Sequence, residues 1–183
     1  KTPALLASLG RLLGRFSHAM RGFGHPAAHR PGFLWNLDEV MALKPWIEDI
    51  ASERRSLVRG IYARYEERVL PRLARLRSAV LHQDANDNNL VVDGGEVRGL
   101  IDFGDMVHGP LILDLANAAG DFLTPSAAVA DTIFELVRGY RSVTPLEEAE
   151  ADALIDLIDV RLLMTPLIDA LKASNGIASQ EYF

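Results

Sequence analysis

A chain of 183 residues that is 49 % apolar can build one core, and its net charge of −6 with a pI near 5.3 argues against nucleic acid as a main partner. Neutralising phosphates takes a basic face, and the arginines here are scattered along helices. Cysteine is absent, which excludes a disulfide framework and a thiolate zinc site and suits a reducing, cytoplasmic location.

The start, Lys-Thr-Pro-Ala-Leu-Leu, has no signal-peptide pattern and no initiator methionine. With no run of about 18 apolar residues, no membrane partner is expected, and the chain reads as soluble and cut from something longer. Over residues 3–22, Leu5, Leu6, Leu9, Leu12, Leu13, Phe16 and Met20 recur at three- and four-residue steps and predict a long amphipathic helix. Glycines and prolines then make a loop carrying His25 and His29. A second helical region is expected over residues 45–76, with Trp46, Ile50, Leu57, Ile61, Tyr65 and Val69 on its apolar face and a break at Pro71. Residues 110–123 and 126–140 read as further helices. Thr144-Pro145-Leu146-Glu147 has the signals of a helix start: a capping threonine, a proline in the first turn and a glutamate three residues after the cap. That helix is expected to run to residue 172 and bend near Pro166. No internal repeat and no linker divides the chain, so residues 1–183 are read as one domain, mainly α.

Residues 81–105 are the exception. Leu90-Val91-Val92 and the apolar run from Val97 to Ile101 flank Asp93-Gly94-Gly95-Glu96, where two glycines supply the positive φ angles of a tight hairpin. The class is therefore α+β: mainly α with a small β-hairpin. An antiparallel hairpin returns the end of its second strand beside the start of its first, so Asn89 and Asp102 are expected to be neighbours. A carboxylate beside an amide oxygen, with Asp84 five residues upstream on a loop, is a set that holds a hard divalent cation and leaves one base free. Phosphoryl transfer needs that layout: magnesium on the nucleotide phosphates and a carboxylate that takes the proton of the attacking hydroxyl. Asp84 is the candidate base, and Asn89 and Asp102 the candidate magnesium ligands. Asp and Asn also cap turns in many loops, which is the competing reading for each of them alone.

His82-Gln83-Asp84 through Asn89, followed by Gly99-Leu100-Ile101-Asp102-Phe103-Gly104-Asp105, resembles the His-x-Asp-x-x-x-x-Asn and Ile-Asp signatures of the aminoglycoside phosphotransferase and choline kinase family, relatives of the protein kinases. The Asn86-to-Asn89 ending, Asp102 to Met106 and Gly109 look most like the hydroxylysine kinase branch. The resemblance implies a protein-kinase-like C-terminal lobe whose N-terminal nucleotide lobe, expected in cis, is missing from these residues. It also implies Asp84 as catalytic base, His82 as the residue orienting the loop, Asn89 and Asp102 on Mg2+ and the nucleotide, and Asp114 as buried support. Asp105 and Asp87 are the candidates for substrate contact. Asp105 can also touch a second metal or cap the helix expected after it. GTP is the donor implied by the branch and ATP by the wider family. The acceptor is a small-molecule hydroxyl, expected to be cationic because carboxylates that bind no metal can pair with ammonium groups.

Two departures stand out. Gln83 replaces the family's usual glycine, where a side chain either crowds the loop or points to solvent. Lys1, Lys44 and Lys172 are the only lysines, and none sits in the strand context of a nucleotide lobe. Lys44, in Val40-Met41-Ala42-Leu43-Lys44-Pro45, reads as a loop lysine, so the chain alone is expected to be inactive. A zinc site is disfavoured: Pro26 spoils an i, i+4 pair of His25 and His29, and His18 and His108 have no metal-ligand spacing. Trp35, Trp46, Met41 and Met164 read as core. A non-catalytic small-molecule-binding or regulatory module, a relic of a kinase, is the alternative to the enzyme. Two-metal phosphomonoester hydrolysis lacks the residue sets it needs.

Overall fold

A computed structural model describes residues 1–124 and 128–177 of the chain. Helix α1 spans Pro3–Met20, started by Thr2, whose hydroxyl accepts from the Leu5 N–H, and by proline in its first turn. Leu6, Leu9 and Leu13 are buried on its inner face. A single 3-10 turn, Pro26–Ala28, interrupts the loop that follows.

The second helical region differs from its expectation. Residues Leu37–Asp49 form a 3-10 helix opened by the Asn36 side chain, with Pro45 inside it, and an ordinary α-helix, α2, begins only at Ser52 and ends at Arg68. Pro45, which lacks the N–H that a helix interior uses, lies in this 3-10 segment, the segment is kinked at Glu39 (φ −100°, ψ +16°), and the chain restarts as an α-helix at Ser52. Lys44 lies in that segment, not in a loop, and pairs with Glu66 at 2.7 Å. A one-turn helix α3, Leu70–Leu73, carries Pro71 in its first turn.

Four short strands follow. β1 (Ser78–Leu81) pairs antiparallel with β4 (Val107–Pro110), and β2 (Leu90–Asp93) with β3 (Glu96–Leu100). The second pair is the expected hairpin; Gly94 and Gly95 have φ of +57° and +76°, the left-handed pair of a type I′ turn. The β1/β4 pair was not foreseen, and it places His108 in a strand where a loop was expected. Its strands are four residues each, one contains glycine and proline, and the whole hairpin separates them, so no local signal announces the pairing.

Helices α4 (Ile112–Phe122), α5 (Val129–Arg141) and α6 (Glu148–Ser174) complete the fold. Residues 126 and 127 of the expected fifth helix lie outside the described residues. The start of α6 is also corrected: Glu147 is the N-cap, joined to Glu150 in a reciprocal capping box. Thr144 instead is fully buried and donates to the Gly14 carbonyl at 2.8 Å, tying the α5–α6 connection to α1. The cross-chain contact decides the role of that threonine, and the glutamate three residues on takes the cap.

Helices α1 and α5 touch backbone to backbone. A Cβ on Gly10 would lie 2.1 Å from the Leu136 carbonyl oxygen, and one on Gly139 would lie 2.0 Å from that of Ala7, so both positions need glycine. The Ser8 hydroxyl accepts from the Val97 N–H at 2.9 Å, and so α1 also holds the hairpin. Arg77 grips Glu150 through two hydrogen bonds of 2.9 and 2.5 Å, and Arg64 grips Asp156 at 2.6 Å, fixing α6 against the rest. Among the described residues no helix is long and apolar enough to cross a membrane.

Candidate active site

Strand β1 runs straight into residues 82–89, and β4 runs into α4, so the β1/β4 pairing sets Asp114 of α4 under the loop that leaves β1. Asp114 is buried, and its two carboxylate oxygens accept the backbone N–H groups of His82 (3.0 Å) and Gln83 (2.7 Å). Burial pushes its carboxyl up from the ordinary range, and the two N–H bonds and the His82 ring oppose that shift. His82 is fully buried between Phe16 and Phe103. Its Nδ1 accepts from the Asp84 N–H at 3.3 Å and its Nε2 faces the Ile101 carbonyl at 3.1 Å, an arrangement that requires the proton on Nε2. One ring therefore joins the loop of Asp84 to the segment of Asp102.

Gln83 does neither of the two things expected of it. It is buried at φ +71°, and its side-chain oxygen accepts from Asn117 Nδ2 at 2.6 Å while its amide reaches Asn36 at 3.4 Å. A left-handed backbone costs a side-chain-bearing residue about 1–2 kcal/mol, which is a physical reason for the glycine usual in the resembled family. Here the strain is offset by a buried amide network.

The Asp84 carboxylate is held from both sides: Asn86 Nδ2 donates to Oδ1 at 2.7 Å and Asn89 Nδ2 to Oδ2 at 2.6 Å. Asn89 Nδ2 also reaches the Asp84 carbonyl at 2.9 Å, so the amide nitrogen is spent on Asp84 and the side-chain oxygen of Asn89 bonds no described residue. The Asn89 carbonyl accepts from the Ile101 N–H at 2.9 Å, which brings Asn89 beside the chain entering Asp102. Asp102 is exposed, stands at φ +60°, and caps its own turn through a 3.1 Å bond from the Gly104 N–H.

Asp105 caps no helix. The next element is strand β4, and α4 begins only at Ile112, so the capping reading is overturned. Its carboxyl is pushed up, first by burial, then by Asp84, with Asp102 adding and Arg30 and His82 opposing. Asp87 is turned elsewhere: its exposed carboxylate pairs with Lys1 at 2.9 Å. Among the described residues, no three His, Cys, Asp or Glu side chains converge on a metal position.

Asp84, Asn86 and Asp105 line a cleft of about 280 Å³ closed by Trp35, Arg161 and Thr165. The last three were not read from sequence as site residues. Trp35 has a core signature, and Arg161 and Thr165 are two polar positions one helical turn apart on a long helix, a signal too weak to stand alone.

This architecture, a loop braced from below by an aspartate and opening on a polar cleft, has counterparts. The family model described as phosphotransferase enzyme family matches residues 1–150, and the chain belongs to that family. A hydroxylysine kinase of Mus musculus is 29 % identical over 190 residues, 97 % of this chain and 50 % of the relative. A homoserine kinase of Gluconobacter oxydans is 30 % identical over 181 residues, 90 % of this chain and 54 % of the relative. Among solved structures, amicoumacin kinase hAmiN in complex with AMP-PNP, Ca2+ and Ami superimposes with a TM-score of 0.65 at 16 % identity, covering 98 % of this chain and 55 % of that one. The likeness extends to the fold, and the chain spans about half the length of the curated relatives it matches.

Proposed function

We propose that these residues form the catalytic and acceptor-binding half of a small-molecule kinase that moves the γ-phosphoryl of GTP or ATP to the hydroxyl of an amino alcohol or hydroxylated amino acid of the hydroxylysine type. The observation that carries the reading is Asp84. A carboxylate is presented in a small cleft, with each oxygen taking one amide donor and keeping a lone pair for another. The acceptor's hydroxyl gives its proton to Asp84 as its oxygen forms the new bond to the γ-phosphorus, and the bond to the bridging oxygen breaks with its electron pair leaving on the nucleoside diphosphate. Asp114 and His82 act by position: they hold the loop so that the carboxylate does not swing away.

Asn89 and Asp102 fit a hard cation. Both offer oxygen, the Asn89 side-chain oxygen has no protein partner among the described residues, and Mg2+ is usually held by one or two protein groups with phosphates and water completing the shell. When bound, it supplies neutralisation of the nucleotide phosphates. The raised Asp105 carboxyl, crowded by Asp84 and Asp102, suits an ammonium group on the acceptor, which relieves like-charge repulsion. The 183 residues alone transfer no phosphoryl group in this reading, since the relatives that carry the activity are about twice as long.

The test is GTP- and ATP-dependent phosphorylation of 5-hydroxylysine and homoserine by the full-length protein and its Asp84→Asn variant. Magnesium-dependent transfer that falls by about 10²–10⁴-fold in the variant is the expected result. No transfer by a folded, full-length protein would favour the non-catalytic binding module.

A further inference from the structure

One cation lines the cleft, and the proposed chemistry does not use it. Arg161 of α6 has a side chain only 13 % exposed, and its Nη2 donates to Asp121 Oδ1 at 2.6 Å. Its Nε and Nη1 bond no described residue, although the group lies largely out of water. Its stem crosses α4 at Gly120, where a Cβ would lie 2.8 Å from the Arg161 Cγ. Glycine thus leaves a notch for the stem, Asp121 takes one Nη2 donor through a single oxygen, and the remaining donors bond no described residue on the wall of the cleft.

We infer that Arg161, braced by Asp121 and seated on Gly120, is the anchor for the carboxylate of an amino-acid acceptor, and so the residue that selects hydroxy amino acids over hydroxy amines. This rests on the kinase reading and specifies its substrate class. A guanidinium presents parallel N–H donors that match a carboxylate, and a site that fixes one Nη2 donor and leaves the others open among the described residues is organised for a planar anion. The opposite charge is already in place, with Asp84 and Asp105 on the same cleft for the hydroxyl and an ammonium. A zwitterion complements such a wall pair, and neither a pure cation nor a pure anion does. About 280 Å³ lies just below the usual span of ligand pockets, from about 300 to 1,000 Å³, and suits an amino acid better than an oligosaccharide. Nucleotide phosphate is the other anion with this chemistry, so the test separates the two.

The experiment uses the full-length protein and two acceptor pairs, 5-hydroxylysine with 1,5-diaminopentan-2-ol, and homoserine with 3-aminopropan-1-ol; each pair differs by the carboxylate alone. The preference is the ratio of kcat/KM values within a pair. Arg161→Gln is expected to lower the ratio on the order of 10- to 100-fold, the effect of losing a charge-assisted contact, with nucleotide KM moving less than about twofold. Because that variant leaves Asp121 without its partner, two others guard the result. Arg161→Gln with Asp121→Asn removes both charges together, and Gly120→Ala displaces the arginine without deleting it; both should lower the same ratio. An unchanged ratio, or a loss carried by nucleotide KM, overturns the assignment. Calorimetric binding of 5-hydroxylysine without nucleotide keeps the two readings apart. Binding that weakens in the Arg161 variants while the wild type transfers nothing retains the anchor and removes the kinase; transfer with the preference intact does the reverse; no binding and no transfer removes both.

Discussion

Asp114 and Asp102 stand at two ends of one loop system and meet opposite surroundings. Asp114 is buried, and both its oxygens are taken by backbone N–H groups of the loop above it. Asp102 is exposed, sits in left-handed backbone, and spends one oxygen on its own turn. The first carboxylate is fully committed to the protein and the second is half free. A side chain that is completely satisfied inside a fold can only position its neighbours, whereas one held in place with a free oxygen can take a ligand. The same residue type therefore splits into floor and rim by its partners alone.

The largest expected effect breaks the rim. In the full-length protein, the proposed role of Asp102 on the cation predicts that Asp102→Asn lowers kcat on the order of 10²-fold or more, because such a ligand is worth several kcal/mol in the transition state. Steady-state kinetics across a magnesium titration would read it. Thermal stability should hardly move, since the side chain is exposed and asparagine can still accept from the Gly104 N–H. A large drop in Tm would mean that Asp102 belongs to the floor.

The next breaks the floor. Asp114→Ala leaves two buried N–H groups without acceptors, and each such loss costs about 1–3 kcal/mol. A destabilisation of about 2–6 kcal/mol in denaturant titration is expected, together with lost activity. An unaffected unfolding midpoint would show that the loop does not depend on its aspartate.

The two regions also differed in how far the sequence disclosed them. The rim was legible because its signals are local: Gly94-Gly95 sets a two-residue turn that pairs Val92 with Val97, and although a bulge then shifts the register by one before Val91, the hairpin still returns the chain entering Asp102 beside Asn89. The floor was legible only through resemblance, since Asp114 reaches residues 82 and 83 across a strand pairing with no local signature. Thr144 and Gln83 were misjudged for the same reason. Their partners, Gly14, Asn36 and Asn117, lie on other elements, and long-range partners override local propensity. Arg161 and Trp35 escaped because a cleft is a property of packed elements, not of one segment.

Gln83 joins the floor to the cleft, and its replacement sharpens the boundary with a smaller effect. Gln83→Gly relieves left-handed strain of about 1–2 kcal/mol. It also deletes the acceptor of Asn117, a buried amide whose own Oδ1 already lacks a partner, and an unmet buried donor costs about 1–3 kcal/mol. The backbone bond from residue 83 to Asp114 survives, because glycine keeps the N–H. The relief and the cost are of similar size, so the net change in stability should stay within about 2 kcal/mol by denaturant titration.

The smallest effect belongs to Gly104. A Cβ there would lie 3.1 Å from Asp102 Oδ1, so Gly104→Ala must push that carboxylate by a few tenths of an ångström without touching anything buried. Gly104 does not occupy a positive-φ backbone, so alanine brings no strain of its own. If Asp102 only stabilises its turn, the displacement is absorbed at the surface and nothing measurable changes. If its position is set for a cation bridging to nucleotide, a shift of that size should raise the KM for the magnesium–nucleotide complex a few-fold and leave Tm and the acceptor KM in place. The separation of nucleotide KM from acceptor KM is what distinguishes a displaced ligand from a loosened loop, since loosening the loop would move Asp84 and the acceptor with it.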